Sequence, residues 1–237
     1  MRLTALRLEH NGLAGIGMCA LAEPMSLLHT LNTLDLGGNR IGILGATALA
    51  NALARCPAGT LEVLGVGDND LGPEGIQVLA PALAHLRILR HLNLNGNRLT
   101  ARGATTLVDA LRCNTLLVTL SLNFNFLGFE GTRVLVPVLH AQAALQNLDL
   151  SYNDMGPPGV CALVDGLTNE EHVGFVRLDL SKNTLGTQGA NALFPLLRRS
   201  ASTLRYVGLE LNGLGQQHAA MVNCQVPGAH VQVLEHY

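Results

Sequence analysis

Asp149 and Asp179 are the two side chains best placed to do chemistry. Each stands four residues before an asparagine, Asn153 or Asn183, inside the same stretch, Leu-Asp-Leu-Ser. On neighbouring parallel strands they would lie roughly 5 Å apart, the spacing of a carboxylate pair that divides acid and base work. Such a pair also needs an enclosing pocket and a positioned water. An open sheet offers neither, so no catalytic residue is assigned. His91 has no cysteine or second histidine at metal-ligand spacing and reads as a surface histidine. The five cysteines, Cys19, Cys56, Cys113, Cys161 and Cys224, are odd in number, far apart and free of any C-x-x-C pair. They read as reduced thiols rather than a disulfide framework or zinc site. Phosphate-cradling and nucleophile-elbow motifs are missing from the sequence. No cofactor or metal is expected.

The elements that would carry these residues follow from a ladder. Asparagine recurs as Asn11, Asn39, Asn69, Asn97, Asn125, Asn153, Asn183 and Asn212, at intervals of 28 to 30 residues. Apolar residues stand eight, five and three positions before each one and two after, as Leu89, Leu92, Leu94 and Leu99 do around Asn97. The L-x-L pair alternates, which places its side chains on one face of a short strand. A sharp buried turn must follow, and its backbone groups need partners. An asparagine amide supplies both donor and acceptor, so a structural ladder is the expected role of all eight. Six residues on, a glycine column runs Gly17, Gly45, Gly75, Gly103, Gly131, Gly159 and Gly189. It suits a close backbone approach or a positive φ. A helical face then follows, as at Ala46, Leu49, Ala50 and Leu53. No single unit can bury its own apolar face, so the units must stack.

The template L-x-x-L-x-L-x-x-N-x-L resembles the leucine-rich repeat, and the resemblance covers essentially the whole chain. Twelve residues after the ladder position, Asn51, Asp109 and Asp165 alternate with Pro81, Pro137 and Pro195. This two-repeat period, with a unit near 28 residues, looks like the ribonuclease-inhibitor class. The resemblance implies an α/β solenoid, a curved horseshoe with a parallel sheet on the concave face and helices on the convex face. About eight repeats are expected, starting near 3, 31, 61, 89, 117, 145, 175 and 204, with a degenerate cap over 216–237, all within one domain of residues 1–237. Gln216 to Cys224 reads as a last short helix and residues 231–234 as a degenerate ninth strand. The interior prolines predict that alternate helices are shorter or bent.

Composition narrows the function. A net charge of −2, with 14% charged and 3% aromatic residues, argues against a dense basic patch or a base-stacking platform, so no nucleic acid is expected. No apolar run reaches a membrane span. Leu3, Leu6 and Leu8 read as first-strand residues rather than a signal peptide. A reducing, cytoplasmic setting is therefore expected, with the cilium or cytoskeleton as the narrower settings the resemblance implies. The amino-terminal repeat lacks a polar cap, and its open edge is expected to be covered by another chain. Positions on the concave sheet and its rim carry six acids and three bases. Among them Phe124, Tyr152 and Tyr206 stand out as anchors among small polar neighbours. The candidate partner-binding set is Asp35, His91, Phe124, Asp149, Tyr152, Arg177, Asp179 and Tyr206. The expected function is a non-enzymatic protein–protein scaffold within a multi-subunit assembly such as a ciliary, axonemal or cytoskeletal complex. The alternative is an enzyme regulator, an inhibitor or small-GTPase regulator, working through the concave face.

Overall fold

The structure is a computed structural model that describes residues 3–57, 59–167, 175–215, 218, 221–222, 225 and 228–232. Short strands alternate with helices: β1 (Ala5–Arg7), α1 (Ala14–Ser26), β2 (Thr33–Asp35), α2 (Gly42–Leu53), β3 (Val63–Gly65), α3 (Gly72–His85), β4 (His91–Asn93) and α4 (Thr100–Leu111). Then come β5 (Thr119–Ser121), α5 (Gly128–His140), β6 (Asn147–Asp149), α6 (Gly156–Leu167), β7 (Arg177–Asp179), α7 (Gly186–Ser200), β8 (Tyr206–Gly208) and β9 (His230–Gln232). All strands pair in parallel, in sequence order, in one nine-stranded sheet. The register never slips: Leu64 pairs with Leu92, Leu92 with Leu120 and Leu120 with Leu148. One slip would turn every leucine to the wrong face.

The core lies between this sheet and the helices. Leu34, Leu64, Leu120, Leu148 and Leu178 are fully buried, as are Leu49, Leu79, Leu107, Leu135 and Leu163 from the helices that face them. The described residues between 215 and 225 are helical and β9 follows. Gln216, Cys224, Val233 and Leu234, named in the expected cap, lie outside the described residues.

The asparagine column ties each repeat to the one before it. Asn125 is typical. Its Oδ1 accepts the N–H groups of Asn97 and Leu99, at 3.0 and 3.3 Å, and its Nδ2 donates to Leu94 and Leu122 carbonyls, at 2.9 and 3.0 Å. The same pattern recurs at Asn69, Asn97, Asn153 and Asn183, all fully buried. Asn11 differs: it is exposed, and its amide reaches only its own repeat, at Glu9 O.

Around each ladder residue the backbone is left-handed at three places: one before, one after and three after. In repeat five these are Phe124, Phe126 and Gly128, at φ 55°, 54° and 60°. Inter-repeat hydrogen bonds hold them there, Phe124 N–H to Ser151 O at 3.0 Å and Gly128 N–H to Asn153 O at 2.8 Å. Each left-handed residue other than glycine costs about 1–2 kcal/mol, and the stacked ladder over-determines the conformation.

Of the two readings of the glycine column at six, the close approach holds and the positive φ does not: the left-handed residues stand one before, one after and three after the asparagine. A Cβ on Gly159 would lie 2.6 Å from Met155 Cβ, one helical turn back. Gly159→Ala gains about 1 kcal/mol of helix propensity, yet forcing that contact costs typically about 1–3 kcal/mol. We expect a net loss, read as a lower denaturation midpoint with an unchanged slope. The proline-bearing helices are also not the shorter ones. α3, α5 and α7 have 14, 13 and 15 residues against 12 in each of α2, α4 and α6. Pro81, Pro137 and Pro195 sit on the exposed helix face. There the carbonyl deprived of its partner can turn to water.

Candidate functional site

On the sheet face, Asp149 and Asp179 pair in register across β6 and β7. Each carboxylate is already engaged. Asp149 Oδ1 accepts the Ser151 N–H and hydroxyl at 3.0 and 2.7 Å, and Oδ2 accepts from Asn123 at 3.1 Å. Asp179 Oδ1 accepts the same pair of donors from Ser181 at 3.2 and 2.8 Å. Its Oδ2 takes Arg177 at 3.0 Å and the Tyr206 hydroxyl at 3.3 Å. The Arg177 guanidinium lies 3.6 Å from the centre of the Tyr206 ring. The aspartates therefore cap the ends of their own strands, as Asp35 does for Gly37 and Asn93 for Asn95. Gly65 and Gly208 stand beside Asp35 and Asp179 because a Cβ there would collide with the carboxylate. His91 is exposed on β4, between Val63 and Thr119 in register.

Burial raises the Asp149 carboxyl above its ordinary value of 3.8, and the Asp179 charge adds to the push against hydrogen bonds from Ser151. Burial likewise raises Asp35, with Glu9 beside it, and Tyr206, with Asp179 beside it. A raised carboxyl stabilises the fold as the neutral acid; that contribution is present below 3.8 and is lost as pH rises through the raised value. Asn93 shows that an amide performs the same capping. The Asn123 Oδ1 has no hydrogen-bond partner, and a flipped amide would present it to a new donor. Asp149→Asn should therefore raise the melting temperature at pH 7, with the gain vanishing towards pH 3.5. A gain that grows on acidification would refute this reading.

The rim beyond the strand ends is different in kind. The left-handed positions on either side of the asparagine hold His10 and Gly12, Gly38 and Arg40, Asp68 and Asp70, Gly96 and Arg98 in repeats one to four. In repeat five both become phenylalanine, Phe124 and Phe126, and in repeat six the first is Tyr152. The Phe124 ring packs at 5.7 Å from Phe126 and 5.3 Å from Tyr152, tilted by 59° and 50°. Lys182 of repeat seven places its Nζ 4.1 Å from the Tyr152 ring centre. Phe124 and Phe126 are 50% and 53% exposed, and Phe129 and Tyr152 are 38% and 39% exposed. The chain has five Phe and three Tyr, and these four stand on one edge. On the near side, Phe124 borders a cavity lined by Arg40, Asp68, Asp70, Gly96 and Arg98.

The structure thus divides the sequence-selected set. Phe124 and Tyr152 meet on the rim; Asp149, Arg177, Asp179 and Tyr206 gather on the sheet; Asp35 and His91 join neither group. Phe126, Phe129 and Lys182 were missed. Their signal was the run Phe-Asn-Phe-Leu-Gly-Phe, three phenylalanines around a ladder turn. Among the described residues no group of three or more His, Cys, Asp or Glu could hold a metal ion, and no helix is long and apolar enough to cross a membrane.

Parallel strands in unbroken register, a helix after each of β1 to β7 and a buried asparagine at every ladder turn from Asn39 to Asn212 define a repeat solenoid of the α/β kind. A family profile described as Leucine Rich repeat matches residues 28–50, 60–80, 85–108, 144–164 and 175–194. The chain is a leucine-rich repeat protein. Among solved structures it is similar to an internalin from Listeria monocytogenes, at 18% identity, over 99% of this chain and 82% of that one, with a TM-score of 0.33. Comparison with curated proteins gives no match.

Proposed function

We propose that this chain is a non-enzymatic interaction module that grips a protein partner through the aromatic rim of repeats five and six. Leucine-rich repeat domains generally mediate protein–protein interaction. One observation carries the choice of surface. Phe124 and Phe126 occupy left-handed positions that the other repeats fill with glycine or with polar or charged residues, Tyr152 and Leu211 apart, and both rings are half exposed. Neither the backbone conformation nor the burial of apolar surface favours phenylalanine there. An exposed aromatic patch of this kind marks a contact surface.

The engaged Asp149 and Asp179 carboxylates support a role without chemistry at the sheet face. A larger assembly in a reducing compartment is the setting we infer, supported by the unpaired Cys19, Cys56, Cys113 and Cys161. The narrower ciliary, axonemal or cytoskeletal setting rests on the family resemblance alone. The competing reading is an enzyme regulator acting through the concave face. It is favoured by the exposed guanidinium of Arg177 stacked on Tyr206. Capture of partners by the tagged wild-type chain, by Phe124→Gly/Phe126→Gly and by Arg177→Glu separates the two. Loss of partners in the rim variant alone supports the rim; loss in Arg177→Glu alone supports the concave face.

A further inference from the structure

We propose that the amino-terminal flank of the solenoid is a dimer face and that its occupant is a second copy of this chain. β1 is the outer strand of the sheet. In each later repeat the residue six before the asparagine donates its N–H to the repeat before, as Thr33 does to Thr4 O at 3.0 Å. The residue four before accepts in the same direction, as Asp35 O does from the Leu8 N–H at 2.8 Å. The matching groups of β1, the Ala5 N–H and the Arg7 carbonyl, therefore face away from β2. Beneath this edge the flank is apolar. Leu3 is 37% exposed, where Leu31 and Leu61 are 2% exposed. α2 lines its groove against α1 with Leu44, Ala48 and Ala52, and the matching residues of α1, Ile16, Ala20 and Pro24, are all exposed. Stacking alone does not require this. Ile16, 79% exposed, stands five after its asparagine, where repeats three to five carry Glu74, Arg102 and Glu130. Leu27, 68% exposed, stands where repeats two and three carry Arg55 and His85.

Charge, direction and size all fit a second copy. A two-fold contact lays one patch against itself, so any charge on it would meet its own kind; Ile16, Ala20, Pro24 and Leu27 carry none. The edge of β1 is self-complementary as well. Antiparallel pairing about an axis at Leu6 sets Ala5 opposite the second copy's Arg7, and the Ala5 N–H of each copy then donates to the Arg7 carbonyl of the other. The same rotation brings the two α1 helices side by side, where Gly17 and Ala20 leave room for a close crossing. α1 has 13 residues, so it is about 20 Å long and lies about 10 Å from the sheet. With the thickness of both layers the flank offers on the order of 500 Å² per copy, and a total of about 1,000 Å² is the smallest that holds a specific pair. The dimer therefore exchanges with monomer at micromolar concentration.

The test is sedimentation velocity of the full chain at concentrations up to about 100 µM, with a dissociation constant on the order of 10 µM expected. Ala20→Glu and Ala20→Lys each set like charges on both sides of the contact, and each alone should weaken the dimer at least about tenfold. Mixed in equal amounts, the two variants should dimerise again, because their charges then attract. Amide exchange at Ala5 should slow in the wild-type chain as its concentration rises and stay unchanged in Ala20→Glu. Phe124→Gly/Phe126→Gly should dimerise as the wild type does, which separates this face from the rim. Thermal melts confirm that each variant is folded. A wild-type chain that stays monomeric, dimers that survive Ala20→Glu, no recovery in the mixture, or growth beyond two copies overturns the proposal. Capture of a different protein through Ala20 by a chain that is itself monomeric overturns it too.

Discussion

Asn97→Ala is expected to remove a large part of the stability of the fold. The side chain is fully buried. Its Oδ1 holds the N–H groups of Asn69 and Leu71 at 3.1 and 3.3 Å. Its Nδ2 donates to the carbonyls of Val66, Leu94 and Asn95, at 2.9, 3.0 and 3.0 Å. Alanine strands both donors in a space closed to water. Each buried group left without a partner costs about 1–3 kcal/mol, so a loss of about 4 kcal/mol is expected from the two N–H groups together. That is a large part of the roughly 5–15 kcal/mol that folds a chain. Asn97→Asp keeps the acceptor but aims a charge at the three carbonyls, and should do no better. Asn11→Ala is the internal control. Asn11 is exposed and its side chain donates only to Glu9 O, so the loss of that amide should cost under about 1 kcal/mol. Urea unfolding of the three variants checks the order. Equal midpoints for Asn11→Ala and Asn97→Ala would show that the ladder does not carry the turn. Hydrogen exchange should then locate the damage: in a stack of nearest-neighbour contacts, amides of repeats three and four should open first.

Most of this fold is legible in the sequence because it is written eight times. A single L-x-L could be a strand or one turn of a helix, but eight in register with an asparagine cannot be. What stayed hidden depends on geometry that no residue type announces. Left-handed backbone is normally marked by glycine, and Gly42, Gly72, Gly128, Gly156 and Gly186 do mark it. Thr100, Phe124, Phe126 and Tyr152 adopt it as well, because hydrogen bonds from the neighbouring repeat hold the turn whatever its side chain. That is why the glycine column at six could be read as a close approach or as a positive φ, of which only the approach holds. The prolines misled for a related reason. A missing N–H shortens a helix only when the orphaned carbonyl has nowhere to go, and these lie on the solvent side. The alignment of Asp149 with Asp179 was visible from their column. The serines two residues on, which engage both, carry no pattern that distinguishes a capping hydroxyl from an idle one.

Phe124→Gly/Phe126→Gly should abolish partner binding while leaving the fold as stable as before. Two left-handed phenylalanines cost about 1–2 kcal/mol each, and glycine removes that strain. Against it stand about 0.5–1 kcal/mol of extra chain entropy per glycine and about 0.5–1.5 kcal/mol for each lost ring contact, namely Phe124 with Phe126 and with Tyr152. These terms nearly cancel, so the melting temperature should stay within a few degrees of the wild type. Repeats two and four already place glycine at the Phe124 position, as Gly38 and Gly96. Binding has no such compensation. Aromatic anchors at a contact centre are worth about 2 kcal/mol or more each, so losing two predicts at least a hundredfold weaker partner affinity in titration calorimetry. A core residue would lose stability and binding together, and an idle surface residue would lose neither. Only side chains kept for contact lose binding alone, and an unchanged affinity in a folded double variant would move the site off this rim.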